Sequence, residues 1–319
     1  MTSRENGAPL AGPPDVVVDF RVRLPNDQRP RVITPPEYTS QYDAVLSVSE
    51  RSGATMADLF SEMDDCEVTH AVIHAEYEFG DPVDELNDAV ERAVLTDSAR
   101  LRGFGTISLD PLRVRRAMRQ VDRVCAGGMV GLNLQPSFFG LPMTEPRLYP
   151  VYARAEELGL LVALHTGVNY TTHRIIENDH PRQLDQLACD FPSLVLIACH
   201  AGWPWVEELV AVMRKHPTVL ADFGGLAPKY VGETDTGWSV MRRFMNSLLS
   251  EQVLFATDWP VFPMRRALSE WRQMGLKADV LARLLGGNAI ELFERSLPPR
   301  GGDQVQRARD RARDKEKTC

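Results

Sequence analysis

Short apolar runs alternate with amphipathic stretches along most of the chain. The runs are rich in β-branched residues and predict strands near Val16–Phe20, His70–His74, Leu101–Ile107, Met129–Leu134, Leu160–His165, Leu194–Cys199, Thr218–Asp222 and Val253–Thr257. Between them the apolar positions take helical spacing. Val114, Met118, Val121 and Cys125 step by four, three and four residues, and Val206, Leu209, Val210 and Met213 mark a similar face. Strands that are apolar throughout, each followed by a helix, predict a parallel sheet covered on both faces. Eight such units close most naturally into an α/β fold of the (β/α)8 TIM-barrel type, spanning 15–297. A doubly wound open sheet is the rival, but it calls for a Gly-rich phosphate loop after an early strand, and the sequence has none.

The two flanks read differently. Residues 1–14 are Pro, Gly and polar residues without an apolar signal core, and are expected to form a flexible arm. Over 298–319, Arg300, Arg307, Arg309, Arg311, Arg313, Lys315 and Lys317 face only Asp303, Asp310, Asp314 and Glu316, the pattern of a solvated, disordered or fraying tail.

Charge narrows the function classes. With 36 basic against 44 acidic side chains the formal charge is −8, which argues against a general nucleic-acid binder. No apolar run approaches the ~18 residues of a membrane span. The five cysteines, Cys66, Cys125, Cys189, Cys199 and Cys319, lack metal-type spacing. Their odd number reads as reduced thiols in a cytoplasmic protein.

Barrel enzymes carry their chemistry at the C-terminal ends of the strands. Three runs end in a polar residue of catalytic type: LGLLVALH in His165, SLVLIACH in His200 and VLFATD in Asp258. A lone histidine in such a place is more often a satisfied core residue. Three at equivalent ends of three strands converge on one barrel mouth.

These residues carry a resemblance. His165, the His200-Ala-Gly-Trp-Pro-Trp segment and Thr257-Asp258-Trp-Pro resemble the family-2 branch of the amidohydrolase superfamily, the branch of 2-amino-3-carboxymuconate-6-semialdehyde decarboxylase. Gly103-Phe104, Gly131-Leu-Asn-Leu-Gln-Pro136 and Gly287-Asn288-Ala289 before Leu292-Phe293 fit the same pattern, which covers about residues 15–295. The resemblance implies that His165 and Asp258 stand at metal-ligand positions and that His200 activates water or moves a proton. It also implies a homodimer.

The first strand departs from the family. Relatives open with Asp-x-His-x-His, whereas this chain reads Asp19-Phe20-Arg21-Val22-Arg23. A guanidinium stays protonated and has no lone pair for a metal. A catalytic zinc site typically needs three protein ligands, and only His165 and Asp258 remain. The charges of Arg21 and Arg23 also repel a dication. No cofactor is therefore favoured. Arg21 is expected to reach into the mouth and pair with Asp258 or a bound anion, and Arg23 to bind a substrate carboxylate. The alternative is a zinc or manganese site rebuilt from His165 and Asp258 with His74 or Glu76, two residues that share a face at the end of the second strand. Further substrate-contact candidates are Asn133 and Gln135 at the end of the fourth strand, Tyr170, His173 and Arg174 in the loop after His165, and Trp203 and Trp205. Lys229 and Tyr230 follow in the seventh unit.

Three functions compete. The first is a carbon–carbon lyase of the decarboxylase type, or a hydrolase, acting on a small carboxylated or phenolic compound with arginine charge in place of the metal. The second is the same chemistry with a rearranged metal site. The third is a non-catalytic relative that binds a small acid or a protein partner.

Overall fold

The computed structural model describes residues 16–30, 53–77, 82–233 and 237–296. The expected N-terminal arm and charged tail lie outside them. Eight parallel strands, β1 (Val18–Arg23), β2 (His70–His74), β3 (Leu101–Gly105), β4 (Gly131–Leu134), β5 (Leu161–His165), β6 (Leu196–Cys199), β7 (Val219–Asp222) and β8 (Val253–Leu254), pair in sequence order. The circle closes through Phe20 N–H to the Phe255 carbonyl (2.9 Å), Asp258 N–H to that of Arg21 (2.9 Å) and Arg23 N–H to that of Trp259 (2.8 Å). This is the TIM barrel that the alternation of patterns predicts. β8 is shorter than its apolar run because Phe255 N–H turns to the Leu284 carbonyl (2.8 Å) instead of continuing the ladder.

The pleat sorts each strand residue by residue. Val22, Ile73, Leu132, Leu164 and Ala198 point outward into the large core under the helices. Their neighbours Phe20, Val72, Ala163, Ile197 and Ala256 fill the barrel interior, which Leu292 and Phe293 also pack against. That alternation explains why the runs look apolar throughout: one face meets helices and the other meets the barrel axis. The helices that matter for the site are α1 (Met56–Asp65), α2 (Val83–Thr96), α3 (Val114–Ala126), α4 (Tyr149–Leu158), α5 (Arg182–Asp190) and α6 (Val206–Lys215). Among the described residues no helix is long and apolar enough to cross a membrane.

β1 carries a bulge. Asp19 pairs with Ala71 and Val22 with Ile73, so Phe20 and Arg21 together oppose Val72. The extra residue lets Phe20 fill the barrel interior while the next side chain, Arg21, also turns inward. Bulges commonly re-aim side chains beside sites in this way.

Close packing at the β3–β4–β5 seam is directly testable. A Cβ on Gly131 would lie 2.4 Å from Phe104 Cε1 and 2.6 Å from the Leu161 carbonyl oxygen. Gly131→Ala must displace backbone, and should cost roughly 1–3 kcal/mol, read as a lower denaturation midpoint at unchanged slope.

Candidate active site

Arg21 lies at the centre of the mouth, 1% exposed. Its Nε donates to Asp222 Oδ2 (3.0 Å), Nη1 to Glu76 Oε1 (3.3 Å), and both terminal nitrogens to Asn133 Oδ1 (3.3 Å each). Nη2 also meets Cys199 Sγ. Burial works against the charged guanidinium, yet Asp222, Cys199, Glu76 and Asp258 outweigh it and raise its pKa. Burial likewise opposes ionisation of Asp222, but Arg21, His200 and His74 hold its carboxyl below the usual range. Gly224 makes room for this side chain, since a Cβ there would lie 2.8 Å from Arg21 Cδ.

The expected pairing of Arg21 with Asp258 is therefore corrected. The partner of Asp258 is Arg23, whose Nη2 and Nε approach Asp258 Oδ2 at 2.8 and 3.2 Å. The Arg21 backbone does adjoin Asp258, but its side chain runs across the barrel to β7 and β2. Arg23, two residues further up the strand, takes the position beside the end of β8.

His200 follows β6 in a left-handed conformation, φ 60°. Its Nδ1 donates to the Gly224 carbonyl (2.7 Å), which leaves Nε2 as an acceptor. Burial, His165 and Arg21 lower its pKa, so the ring is neutral at physiological pH. His165 ends β5 with its ring centroid 5.0 Å from that of His200. Its Nδ1 bonds Asp179 Oδ1 at 2.5 Å. Asp179 is fully buried and lies in a short helical turn, Ile176–Asp179. The sequence reading missed it, because no apolar run or spacing points to a loop carboxylate 14 residues after its partner.

A pocket opens over these groups. Its walls include Arg23, Glu76, Gln135, Phe138, His165, Tyr170, His200, Trp203 and Asp258. Gln135 Nε2 donates to Glu76 Oε2 (3.2 Å), tying two wall residues together. The oxygen of Asp258 that Arg23 does not take, Oδ1, is buried without a partner among the described residues.

Other expected contacts do not reach the pocket. Asn133 is buried beneath it, accepting from Arg21 and donating to the Ala75 carbonyl (2.9 Å). His173 is exposed and outside the lining. Arg174 donates to the Phe138 carbonyl (3.1 Å), and Trp205 packs on His180 at 4.6 Å. Lys229 and Tyr230 are exposed, the ammonium 4.9 Å over the ring.

The comparisons with known proteins agree with this architecture. The family model described as amidohydrolase matches residues 39–295. The chain belongs to the amidohydrolase family. β1, with its two arginines, precedes the matched region. Among curated proteins, Protein fluG of Emericella nidulans is 25% identical over 100 residues, which are 31% of this chain and 11% of that protein. The chain thus spans about a tenth of that relative's length. An uncharacterized TIM-barrel protein from Bordetella bronchiseptica superposes with a TM-score of 0.73 at 23% identity, covering 88% of this chain and 99% of that one. The 5-carboxyvanillate decarboxylase of Sphingomonas paucimobilis gives 0.64 at 20%, covering 88% and 98%. A dihydroxybenzoic acid decarboxylase from Polaromonas, with bound manganese and the inhibitor 2-nitroresorcinol, gives 0.62 at 14%, covering 88% and 96%.

The residues present do not fit a metal of the kind that Polaromonas enzyme holds. Glu76, Asp222 and Cys199 do converge, but on the Arg21 guanidinium. His74, expected as a substitute ligand, lies below the mouth, with Nε2 donating to the Phe20 carbonyl (2.9 Å) and its ring stacked on Phe104 at 4.5 Å. Burial, with Arg21 second, lowers its pKa to about 3, so it stays neutral. Glu76, the other substitute, is ion-paired to Arg21. Among the described residues, the three-residue group of potential ligands whose donor atoms lie within 4.8 Å of one another is elsewhere, at Asp185, Cys189 and His216. Of the rebuilt set, His165, Asp258 and Glu76 do line one pocket, with Glu76 paired to Arg21 and Asp258 to Arg23, whereas His74 lies outside that lining.

Arg21→Met would strand two buried carboxylates. A loss of about 3–5 kcal/mol is expected, measured by chemical denaturation, and Asp222→Asn in the same chain should restore part of it. Asp19 offers a pH test. Burial raises its carboxyl to about 7, against hydrogen bonds from the Thr257 hydroxyl, Thr257 N–H and Arg21 N–H. The native state therefore binds this proton more tightly than the unfolded chain does. The resulting stability is full below the unfolded value of roughly 4 and is lost as pH rises through about 7. Asp19→Asn should flatten that decline between pH 4 and 7 in denaturation midpoints.

Proposed function

We propose that this amidohydrolase is an enzyme acting on a small carboxylated or phenolic compound as a carbon–carbon lyase of the decarboxylase type. Hydrolysis is the runner-up. In this reading His200 moves the proton, and the positive charge that relatives draw from a metal comes from Arg21 and Arg23. The observation that carries the proposal is the buried Arg21 guanidinium at the convergence of Glu76, Asp222 and Cys199, directly below a pocket walled by two histidines.

The arginines divide the work. Arg21 spends its donors on protein groups, so it supplies a fixed field from beneath. Arg23 lies in the pocket wall, where a substrate carboxylate can reach it. Phe138, Tyr170 and Trp203 provide apolar walls suited to an aromatic ring. Asp258 Oδ1 offers an acceptor for a substrate hydroxyl.

The chemistry starts from a neutral base. His200 Nε2 takes the proton of a phenolic hydroxyl and returns it to the ring carbon that bears the carboxylate. The carbon–carboxylate bond then breaks, its electron pair flows back into the ring to restore the phenolate, and carbon dioxide leaves. In the hydrolytic reading the same nitrogen takes the proton of water and delivers it to the leaving group.

The test is a panel of hydroxylated aromatic acids, scored for carbon dioxide release and hydrolysis with chelator-treated protein. Turnover should survive chelation and gain nothing from added manganese. His200→Ala should lower it roughly 100-fold or more with the fold intact. Activity that chelation abolishes and manganese restores would transfer the assignment to a metal-dependent decarboxylase. Binding without turnover across the panel would leave a non-catalytic relative.

A further inference from the structure

A second cluster of reactive side chains lies outside the barrel mouth, between α5 and the end of α6. Asp185 and Cys189 stand four residues apart on α5 and so share a face. His216 follows the last turn of α6, its backbone fixed by N–H to the Val212 carbonyl (2.9 Å) and by Gln252 Nε2 on its own carbonyl (3.1 Å). His216 Nε2 lies 2.7 Å from Asp185 Oδ1. The donor atoms of Asp185, Cys189 and His216 all lie within 4.8 Å of one another.

We propose that Asp185, Cys189 and His216 form a binding site for a borderline-soft divalent cation of the zinc class, joining α5 to α6. Three arguments support it. The donor set mixes thiolate, imidazole and carboxylate, which suits zinc and disfavours calcium and magnesium, whose sites are built from oxygen. Three protein ligands plus water complete a tetrahedral shell. The spot also already favours positive charge: the Lys215 ammonium rests there, 2.7 Å from Asp185 Oδ1 and 3.7 Å from Cys189 Sγ.

Lys215 is the competitor the metal must displace. Its side chain is 56% exposed on a flexible stem, so the ammonium can move into solvent. Hydrogen bonds from Lys215 and His216 hold the Asp185 carboxyl below its usual range, so this ligand is already ionised. Binding releases the Cys189 thiol proton to solvent and is weakened by acid. The site is independent of the mouth, and its failure would leave the proposed function untouched.

The test is titration of the full chain, freed of any metal-binding tag and of chelator, with cobalt(II). The proposal expects a sulfur-to-cobalt charge-transfer absorption that saturates at one equivalent and is displaced by zinc, with a rise in Tm. Cys189→Ser should abolish the absorption. His216→Ala should weaken binding at least as much as loss of an outer-shell partner does, about tenfold or more, and Lys215→Gln should tighten it. No sulfur-to-cobalt absorption, or the same absorption in Cys189→Ser, would overturn the assignment.

Discussion

The guanidinium of Arg21 is where the barrel mouth is knotted. It reaches from β1 to Glu76 after β2, to Asn133 on β4, to Cys199 on β6 and to Asp222 on β7. Removing such a group from water costs several kcal/mol per ion, and attraction repays this only where every donor finds a partner. At an effective dielectric near 20, one opposite charge about 4 Å away returns roughly 4 kcal/mol. Two carboxylates and a full set of hydrogen bonds thus make a buried arginine tolerable where one carboxylate would not. The arrangement also fixes its neighbours. Asp222 Oδ1 receives N–H from His200 (3.3 Å) and Gly224 (3.0 Å), so the carboxylate that holds Arg21 also seats His200.

Strain gathers around the same knot. Among the described residues only Glu67, His200, Ala201 and Asp258 are non-glycine residues with positive φ. Such conformations cost of order 1–3 kcal/mol each and persist only where the surroundings over-determine them. Here they do. His200 N–H is held by Asp222 and its ring by the Gly224 carbonyl, while Asp258 N–H is held by the Arg21 carbonyl. A Cβ on Gly225 would lie 3.0 Å from His200 Nδ1, so the glycine pair after Phe223 clears space for both Arg21 and His200. Two of the three mouth residues picked out by sequence are thus held in strained conformations by contacts that lead back to Arg21.

Much of this is legible in the sequence alone. Apolar runs that fill both faces of a strand, interleaved with helical spacing, leave few alternatives to a barrel. The polar residues ending three runs do meet at one mouth. The same rule pointed to Asp222 at the end of β7, a signal present in the sequence and passed over. What stayed hidden is depth and register. His74 ends its run as His165 does, but lies a layer below the pocket, against Phe20 and Phe104. Asn133 faces inward as expected and is then covered by Arg21. The bulge that sends Arg21 toward β7, leaving Asp258 to Arg23, is a property of the β1–β2 register, which side-chain parity does not encode.

The two mouth histidines, close together, are held by partners of different kinds. A carbonyl oxygen only accepts, so Gly224 fixes the His200 proton on Nδ1 and exposes a lone pair at Nε2. His165 Nδ1 instead meets the carboxyl of Asp179. The pair is therefore asymmetric by partner rather than by residue type. In the proposed mechanism the His200 ring, with its lone pair at Nε2, is the base, and the His165 ring lies 5.0 Å away. Arg21 adds to the asymmetry by disfavouring a charge on His200, and in the proposed mechanism it would compensate negative charge that develops in the pocket above it. A fixed cation can polarise in this way but cannot carry a coordinated water, so in the proposed mechanism proton movement falls to His200.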